Sequence, residues 1–199
     1  MEHVNERRND TFFAMTSRMK YIERWALMRN SVKENISEHS LEVAMIGLCL
    51  ANLGNIRFGK NYNTEHLAVV AMYHDCTEII TGDMPTPVKY ENEDIKNEYK
   101  RIEKRAAFRM LNKLPDDLRP VYENIIIPDD LDKDSKKIIK AADKISAYIK
   151  CVEEENNGNS EFRCAKESTY KAIVELDCEE ANIFMKEFIP AYSKNLDEL

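Results

Sequence analysis

The segment "LAVVAMYHDCTEIITGDMPTP", residues 67–87, places His74, Asp75 and Glu78 at the end of an apolar helical run, and Asp83 in a turn with Gly82, Pro85 and Pro87. An imidazole and several carboxylates this close together suit either proton transfer or a divalent cation. Glu78 follows His74 by four residues and Asp75 by three, so one continuous helix ended by Gly82 would carry it over the same surface patch. His74 and Asp75 would project about 100° apart on that helix, and share a centre only at the edge between them or through a distorted turn. A surface ion pair or a capped core histidine is the plain alternative.

Two distant residues extend the group. Asp143 lies in "KAADKISAY", among apolar neighbours where a lone carboxylate is costly and needs either a cation or a lysine such as Lys140 or Lys144. His39 follows "ENIS" at a helix start. Of the four histidines, His3 is terminal and His66 precedes His74 by about two turns, which leaves His39 and His74 to be grouped. Two nitrogens and two carboxylate oxygens, from His39, His74, Asp75 and Asp143, suit a borderline divalent metal such as Mn²⁺, Co²⁺, Fe²⁺ or Zn²⁺. No histidine follows residue 74, so further imidazoles for a two-metal cluster are lacking.

Between residues 18 and 33, Arg18, Lys20, Arg24, Arg29 and Lys33 face Glu23 as the lone acid. This strip either steers a small anion or forms a solvated basic helix face. Trp25 inside it is either a core aromatic or a flat wall for a ligand.

Helical periodicity runs through nearly the whole chain and alternating strand patterns are almost missing, so the fold class is all-α, in one compact domain over residues 1–199 with residues 1–10 frayed. Phe12, Phe13 and Met19 mark a first helix. A second starts after a Ser37 cap, runs through Leu41, Ala44, Met45 and Leu48, and stops at Gly54. Thr64 caps a third. An amphipathic helix over 93–114 carries Ile95, Tyr99, Ile102, Ala106 and Met110 on one stripe and ends at Pro115. A short helix follows, then a long one from Asp134 to the "NNG" at 156–158 with Ile138, Ala142, Ile145, Ile149 and Val152 inward. Helices over 160–176 and 179–189, with Phe162, Ala165, Ile173, Phe184 and Phe188 as core contacts, complete the domain.

The net charge of −7 argues against nucleic acid polymers as partners. Five cysteines without a CxxC pair fit a reducing compartment, and the charged "MEHVNERRND" lacks the apolar core of a signal peptide. No later segment has the uninterrupted apolar length to cross a bilayer, so a cytoplasmic protein without membrane contact is expected.

The order His, His–Asp, distant Asp resembles the HD-domain metal-dependent phosphohydrolases. "RWALMRN", "ENISEHSLEVAM", "AMYHDCTEIITGDMPTPVKY", "EYKRIEKRA" and "KAADKISAYIKCVEE" together are similar to the bacterial 5′-deoxynucleotidase branch, over roughly residues 12–190. The resemblance implies an all-α HD domain that hydrolyses deoxyribonucleoside 5′-monophosphates to deoxynucleoside and phosphate through a metal-activated water. It makes His39, His74, Asp75 and Asp143 ligands of one divalent ion, Co²⁺, Mn²⁺ or a similar transition metal. It also makes Glu78 and Asp83 the catalytic acids, and Arg24, Trp25, Asp83, Met84, Pro85 and Thr86 the substrate contacts. Under it Trp25 becomes the residue that excludes a 2′-hydroxyl. A homodimer is implied too, with the C-terminal helices offering apolar surface. Departures from the family pattern sit in the N-terminus and the last two helices, away from the implied site. The alternatives are another HD-type hydrolase acting on deoxynucleoside triphosphates, cyclic nucleotides or (p)ppGpp, or a non-catalytic helical binding protein.

Overall fold

In a computed structural model, which describes residues 10–89 and 91–199 with Thr86 only through its backbone, ten α-helices follow one another without a β-strand among the described residues. They are α1 (Phe12–Thr16), α2 (Ile36–Phe58), α3 (Thr64–Tyr73), α4 (Glu78–Thr81), α5 (Thr86–Lys89), α6 (Glu93–Leu111), α7 (Arg119–Ile126), α8 (Lys133–Asn156), α9 (Arg163–Glu175) and α10 (Glu179–Glu187). The fraying expected of residues 1–10 falls, apart from Asp10, outside the described residues.

The centre is made where α2, α3 and α8 meet. Val43, Leu50, Leu67, Ala71, Ile138, Ala142, Ile145 and Ile149 are buried there, joined by Ile173 of α9 and by Ala181 and Phe184 of α10. Small residues let the three helices close in: a Cβ placed on Gly47 would lie 3.7 Å from both Ala71 and Ala142. The expected inward stripe of α8 is buried throughout. On α6 the stripe is buried at Tyr99, Ala106 and Met110, whereas Ile102 is exposed. Phe188 is also exposed, although its ring lies 5.0 Å from that of Phe184.

Several boundaries differ from expectation for identifiable reasons. Asn35, not Ser37, caps α2, and it does so through a capping box in which Glu38 answers from the third helical position. Gly54 does not stop α2. It sits where a side chain would strike the Tyr62 ring at 2.5 Å, and the helix runs on to Gly59 at φ +63°. Asn63 caps α3 and Asp132 caps α8, each one or two residues before the expected start. The helix over 93–114 ends at Leu111, with Leu114 buried beyond it. The 23-residue α2, with mean hydropathy 1.3 over 18 residues, is long and apolar enough to cross a membrane, contrary to expectation, yet it packs against α3 and α8.

Candidate metal centre and adjoining cleft

The main correction concerns the run that carries His74. Residues 67–82 are not one helix, because α3 ends at Tyr73 and α4 begins at Glu78. Between them the chain winds tighter, with amide hydrogen bonds reaching back three residues: Cys76 to Tyr73 at 3.0 Å and Glu78 to Asp75 at 2.9 Å. The distortion brings the neighbours His74 and Asp75 to one point, Nε2 to Oδ2 at 3.2 Å. Glu78 therefore sits on a separate short helix, not above His74 on the same face. Gly82 then takes φ +73°, in the region that favours glycine, and releases the chain into the Asp83–Pro87 turn.

His39, in the first turn of α2, and Asp143, mid-way along α8, complete the cluster. His39 Nε2 lies 3.2 Å from Asp143 Oδ1 and 3.6 Å from Asp75 Oδ2. One ligand atom from each of His39, His74 and Asp143 falls within 4.8 Å of the others. Both imidazole Nε2 atoms are buried without a hydrogen-bond partner, which is how nitrogens awaiting a cation are placed. His74 Nδ1 is 2.7 Å from the Ala71 carbonyl, to which it donates, and this leaves Nε2 facing the cluster. His39 Nδ1 is 2.9 Å from Ser146 Oγ, which donates to Glu42 Oε2 at 2.5 Å and so can accept from the ring. His39, His74 and Asp143 thus fit a divalent metal, and Asp75 Oδ2 lies beside both imidazoles without belonging to that close group. Asp143 also has the lysine partner considered as its alternative, Lys144 at 3.4 Å.

Protonation follows the crowding. Burial opposes charge on His74, but Asp75 and Asp143 hold its pKa up at about 9, so a cation binding at Nε2 would displace the proton that nitrogen otherwise carries. Burial would raise Asp75 and Asp143, yet the imidazoles bring Asp75 down to about 2 and push Asp143 well below the usual range. Glu78 goes the other way. Burial, then repulsion by Asp75 and Asp83, lifts it to about 9, and its Oε2 is buried without a partner. Asp83 is raised by burial, against the pull of Arg24.

Beside the cluster a cleft of about 790 Å³ is lined by Arg24, Trp25, Leu27 and Met28 on one wall and by Asp83, Met84, Pro85 and Pro87 on another. The Thr86 side chain lies outside what is described. Lys140 and Lys144 of α8 and Ala165, Ser168, Thr169 and Ala172 of α9 close the remainder. Of the last two helices α9 is therefore not peripheral, since it forms a wall.

Arg24 and Trp25 stand on an irregular segment, residues 22–35, so of the basic strip only Arg18 and Lys20 lie on a helical turn, the 3₁₀ turn Ser17–Tyr21. Within the irregular segment Arg24 points inward with 13% of its side chain exposed, while Arg29 and Lys33 lie at the surface paired with Glu161 and Glu23. The segment is tied down from α8. Glu154 accepts from the Ser31 and Val32 amides at 2.8 and 3.2 Å and pairs with buried Lys150, which donates to the Val32 carbonyl. Asn159 reaches the Arg29 carbonyl at 2.7 Å. Sequence reasoning passed over Glu34, Glu42, Ser146, Glu154 and the α9 wall, because their pairings span nine to more than a hundred residues and leave no local pattern.

The helical arrangement and the histidine–aspartate cluster define the class. Solved structures with the same fold include an HD-domain phosphohydrolase from Listeria innocua, at TM-score 0.79 and 22% identity over 92% of this chain and 88% of that one. Another is the cyanophage S-2L HD phosphohydrolase DatZ, bound to dA and one catalytic Zn²⁺, at TM-score 0.65 and 16% identity over 89% and 95%. Within that class, residues 11–192 match the model of the 5′-deoxynucleotidase YfbR-like family, and the chain belongs to it. Relatives include a 5′-deoxynucleotidase of Erwinia tasmaniensis and 5′-deoxynucleotidase YfbR of Salmonella arizonae. Each is 46% identical over 188 residues, covering 94% of this chain and 95% and 94% of theirs.

Proposed function

We propose that the protein is a metal-dependent 5′-deoxynucleotidase, converting a deoxyribonucleoside 5′-monophosphate and water to a deoxynucleoside and phosphate. The observation that carries this reading is the pair of buried Nε2 atoms of His39 and His74, without hydrogen-bond partners and facing Asp75 and Asp143, at the edge of a cleft walled by Arg24 and Trp25. The family relationship supports it.

His39, His74, Asp75 and Asp143 would hold one divalent cation, such as Mn²⁺, Co²⁺ or Zn²⁺. A cation held there would supply polarisation of a phosphoryl oxygen and a more acidic water near neutral pH. Arg24 offers a planar fork of donors to the phosphate. Asp83, facing Arg24, takes the proton of the attacking water. Glu78 keeps its proton at neutral pH because it is buried opposite Asp75 and Asp83, and gives it to O5′ as the P–O5′ bond breaks. Trp25 lies along the sugar and leaves no partner for a 2′-hydroxyl, while Met84, Pro85 and Thr86 shape the opposite wall.

The reading extends to a cytoplasmic homodimer. Five free cysteines support the compartment. Exposed Leu41, Met45, Leu48 and Ile56 on α2, with Val174 and Phe188 near the C-terminus, supply apolar surface for a second copy, and light scattering would test it.

The decisive experiment offers dAMP, AMP, dATP and cyclic AMP to metal-free protein reloaded with Mn²⁺ or Co²⁺. Phosphate release from dAMP above all others is expected. Preferential turnover of dATP or cyclic AMP would assign the other HD-type hydrolase reading, and neither metal uptake nor turnover would leave a binding protein.

A further inference from the structure

Trp25 is held in an unusual way for a residue asked to measure a sugar. Its backbone takes φ +59°, a region costly for a bulky residue, on a segment without regular secondary structure. Its carbonyl accepts from the Met28 amide at 2.9 Å and from the Asn30 side chain at 3.2 Å, which hold the main chain, and the ring has partners of its own. The indole N–H donates to Glu34 Oε2 at 2.8 Å, and Arg24 Nη1 lies 3.1 Å from the same oxygen. The Arg24 amide also donates to the Glu34 carbonyl at 2.9 Å, so Glu34 grips Arg24 through main chain and side chain together. Only 12% of the Glu34 side chain is exposed. A carboxylate that deep is retained by the guanidinium and indole that meet one oxygen and by His39 Nδ1, 3.6 Å from the other. Phe162 closes the other contact of the indole at a ring separation of 5.3 Å.

We propose that Glu34 is the positioning residue for substrate selection: a single carboxylate oxygen, shared between the Trp25 indole and the Arg24 guanidinium, fixes the wall that reads the sugar relative to the group that receives the phosphate. This rests on the 5′-deoxynucleotidase reading of the cleft. An indole has one polar atom and that atom is spent on Glu34, so the ring turns toward the cleft only an apolar surface, which offers a 2′-hydroxyl no partner. Without the carboxylate the ring can rotate, and the Arg24 fork loses the carboxylate oxygen that receives it.

The test uses Glu34→Gln and Glu34→Ala beside Trp25→Ala, each loaded with Mn²⁺, and reads the ratio of kcat/KM for dAMP to that for AMP. That ratio is insensitive to the fraction of protein correctly folded, so general damage does not move it. It should narrow by roughly tenfold in Glu34→Ala and less in Glu34→Gln, which keeps a neutral acceptor. The chain holds a single tryptophan, so one indole N–H resonance in a ¹⁵N-correlated spectrum reports the bond directly, and it should shift in both Glu34 variants without any substrate present. An unchanged ratio and an unshifted indole resonance in Glu34→Ala, with Trp25→Ala collapsing the ratio, would overturn the role of Glu34 and leave the reading of the cleft standing. A parent enzyme with no preference for dAMP over AMP would overturn that reading, and the selective role of Glu34 with it.

Discussion

The two halves of the site are built by different physics. The His–His–Asp–Asp cluster hangs from α2, α8 and the tight turn between α3 and α4, whose contacts are mostly apolar and close-packed. The substrate wall hangs from residues 22–35, which make one isolated bridge, Glu23 with Asn35, and are held largely by polar side chains, Glu34 and Asn30 from within the segment and Glu154 and Asn159 from elsewhere. Packing of helices over many small contacts tolerates the loss of one polar group, whereas a segment held by a few carboxylates does not. The cluster should therefore fail chemically, through its ligands, and the wall should fail mechanically, through its tethers.

The largest effect is expected at the cluster. Asp143→Asn keeps the shape of the side chain but removes a charge that a cation would need, inside a helix whose inward face is otherwise untouched. Helical content by circular dichroism should be unchanged, while metal affinity falls by more than the ~10–100-fold typical of a supporting group. Parental metal content and turnover in this variant would break the comparison at its first term. Glu78→Ala comes next. It should retain the cation and substrate and lose about 10²–10⁴-fold in kcat, with KM changing far less, because the group is asked only to hand over a proton. Metal analysis beside phosphate-release kinetics separates the outcomes: loss of the metal would make Glu78 a ligand, and near-normal turnover would leave the proton transfer to Asp83.

At the wall the tether to break is Glu154. Burial would raise its pKa, but Lys150, the Ser31 amide and Asn159 bring it down to about 2 from an unperturbed 4.5. A depressed carboxylate stabilises the fold above its unfolded pKa. That contribution is lost as the pH falls from about 4.5 through about 2. Glu154→Gln should lower the midpoint of denaturant unfolding at pH 7 and flatten its decline below pH 4.5. It leaves Lys150 without its carboxylate, and the loosened 29–32 stretch should raise KM for dAMP more than it lowers kcat. Equal unfolding midpoints for parent and variant at pH 7 would show that the segment is held by something other than these tethers.

The same division explains what could be read from the sequence. The cluster was legible because its residues recur in a recognisable order and its helices carry strong apolar periodicity, as in Ile138, Ala142, Ile145 and Ile149. Arg24 and Trp25 were legible by resemblance alone. The groups that hold them were not, since Glu34, Glu154 and Asn159 are ordinary polar residues whose meaning lies in contacts across the fold. The break between His74 and Glu78 was hidden for a different reason. The apolar pattern through Ile79 and Ile80 continues as a helix would, and a shift from four-residue to three-residue hydrogen bonding leaves that pattern intact.

The smallest effect should come from two glycines of α2, and it sharpens the account of how the cluster is supported. At Gly47 an added methyl meets Ala71 and Ala142 at 3.7 Å, ordinary contact distance, in mid-helix. Gly47→Ala should therefore gain most of the helix propensity of alanine, up to ~1 kcal/mol, and leave metal affinity alone. At Gly54 the same methyl meets the Tyr62 ring at 2.5 Å and Glu180 at 2.8 Å, and Tyr62 is itself held by Asn55, whose side chain pairs with its amide at 2.7 Å. That ring is not the free end of a flexible chain, so Gly54→Ala should cost about 1–3 kcal/mol despite the same gain in propensity. Thermal unfolding of the two variants side by side measures the difference. If Gly47→Ala destabilises as much as Gly54→Ala, the junction of α2, α3 and α8 has no slack, and the helices that carry His39 and Asp143 are packed more tightly than their separations indicate.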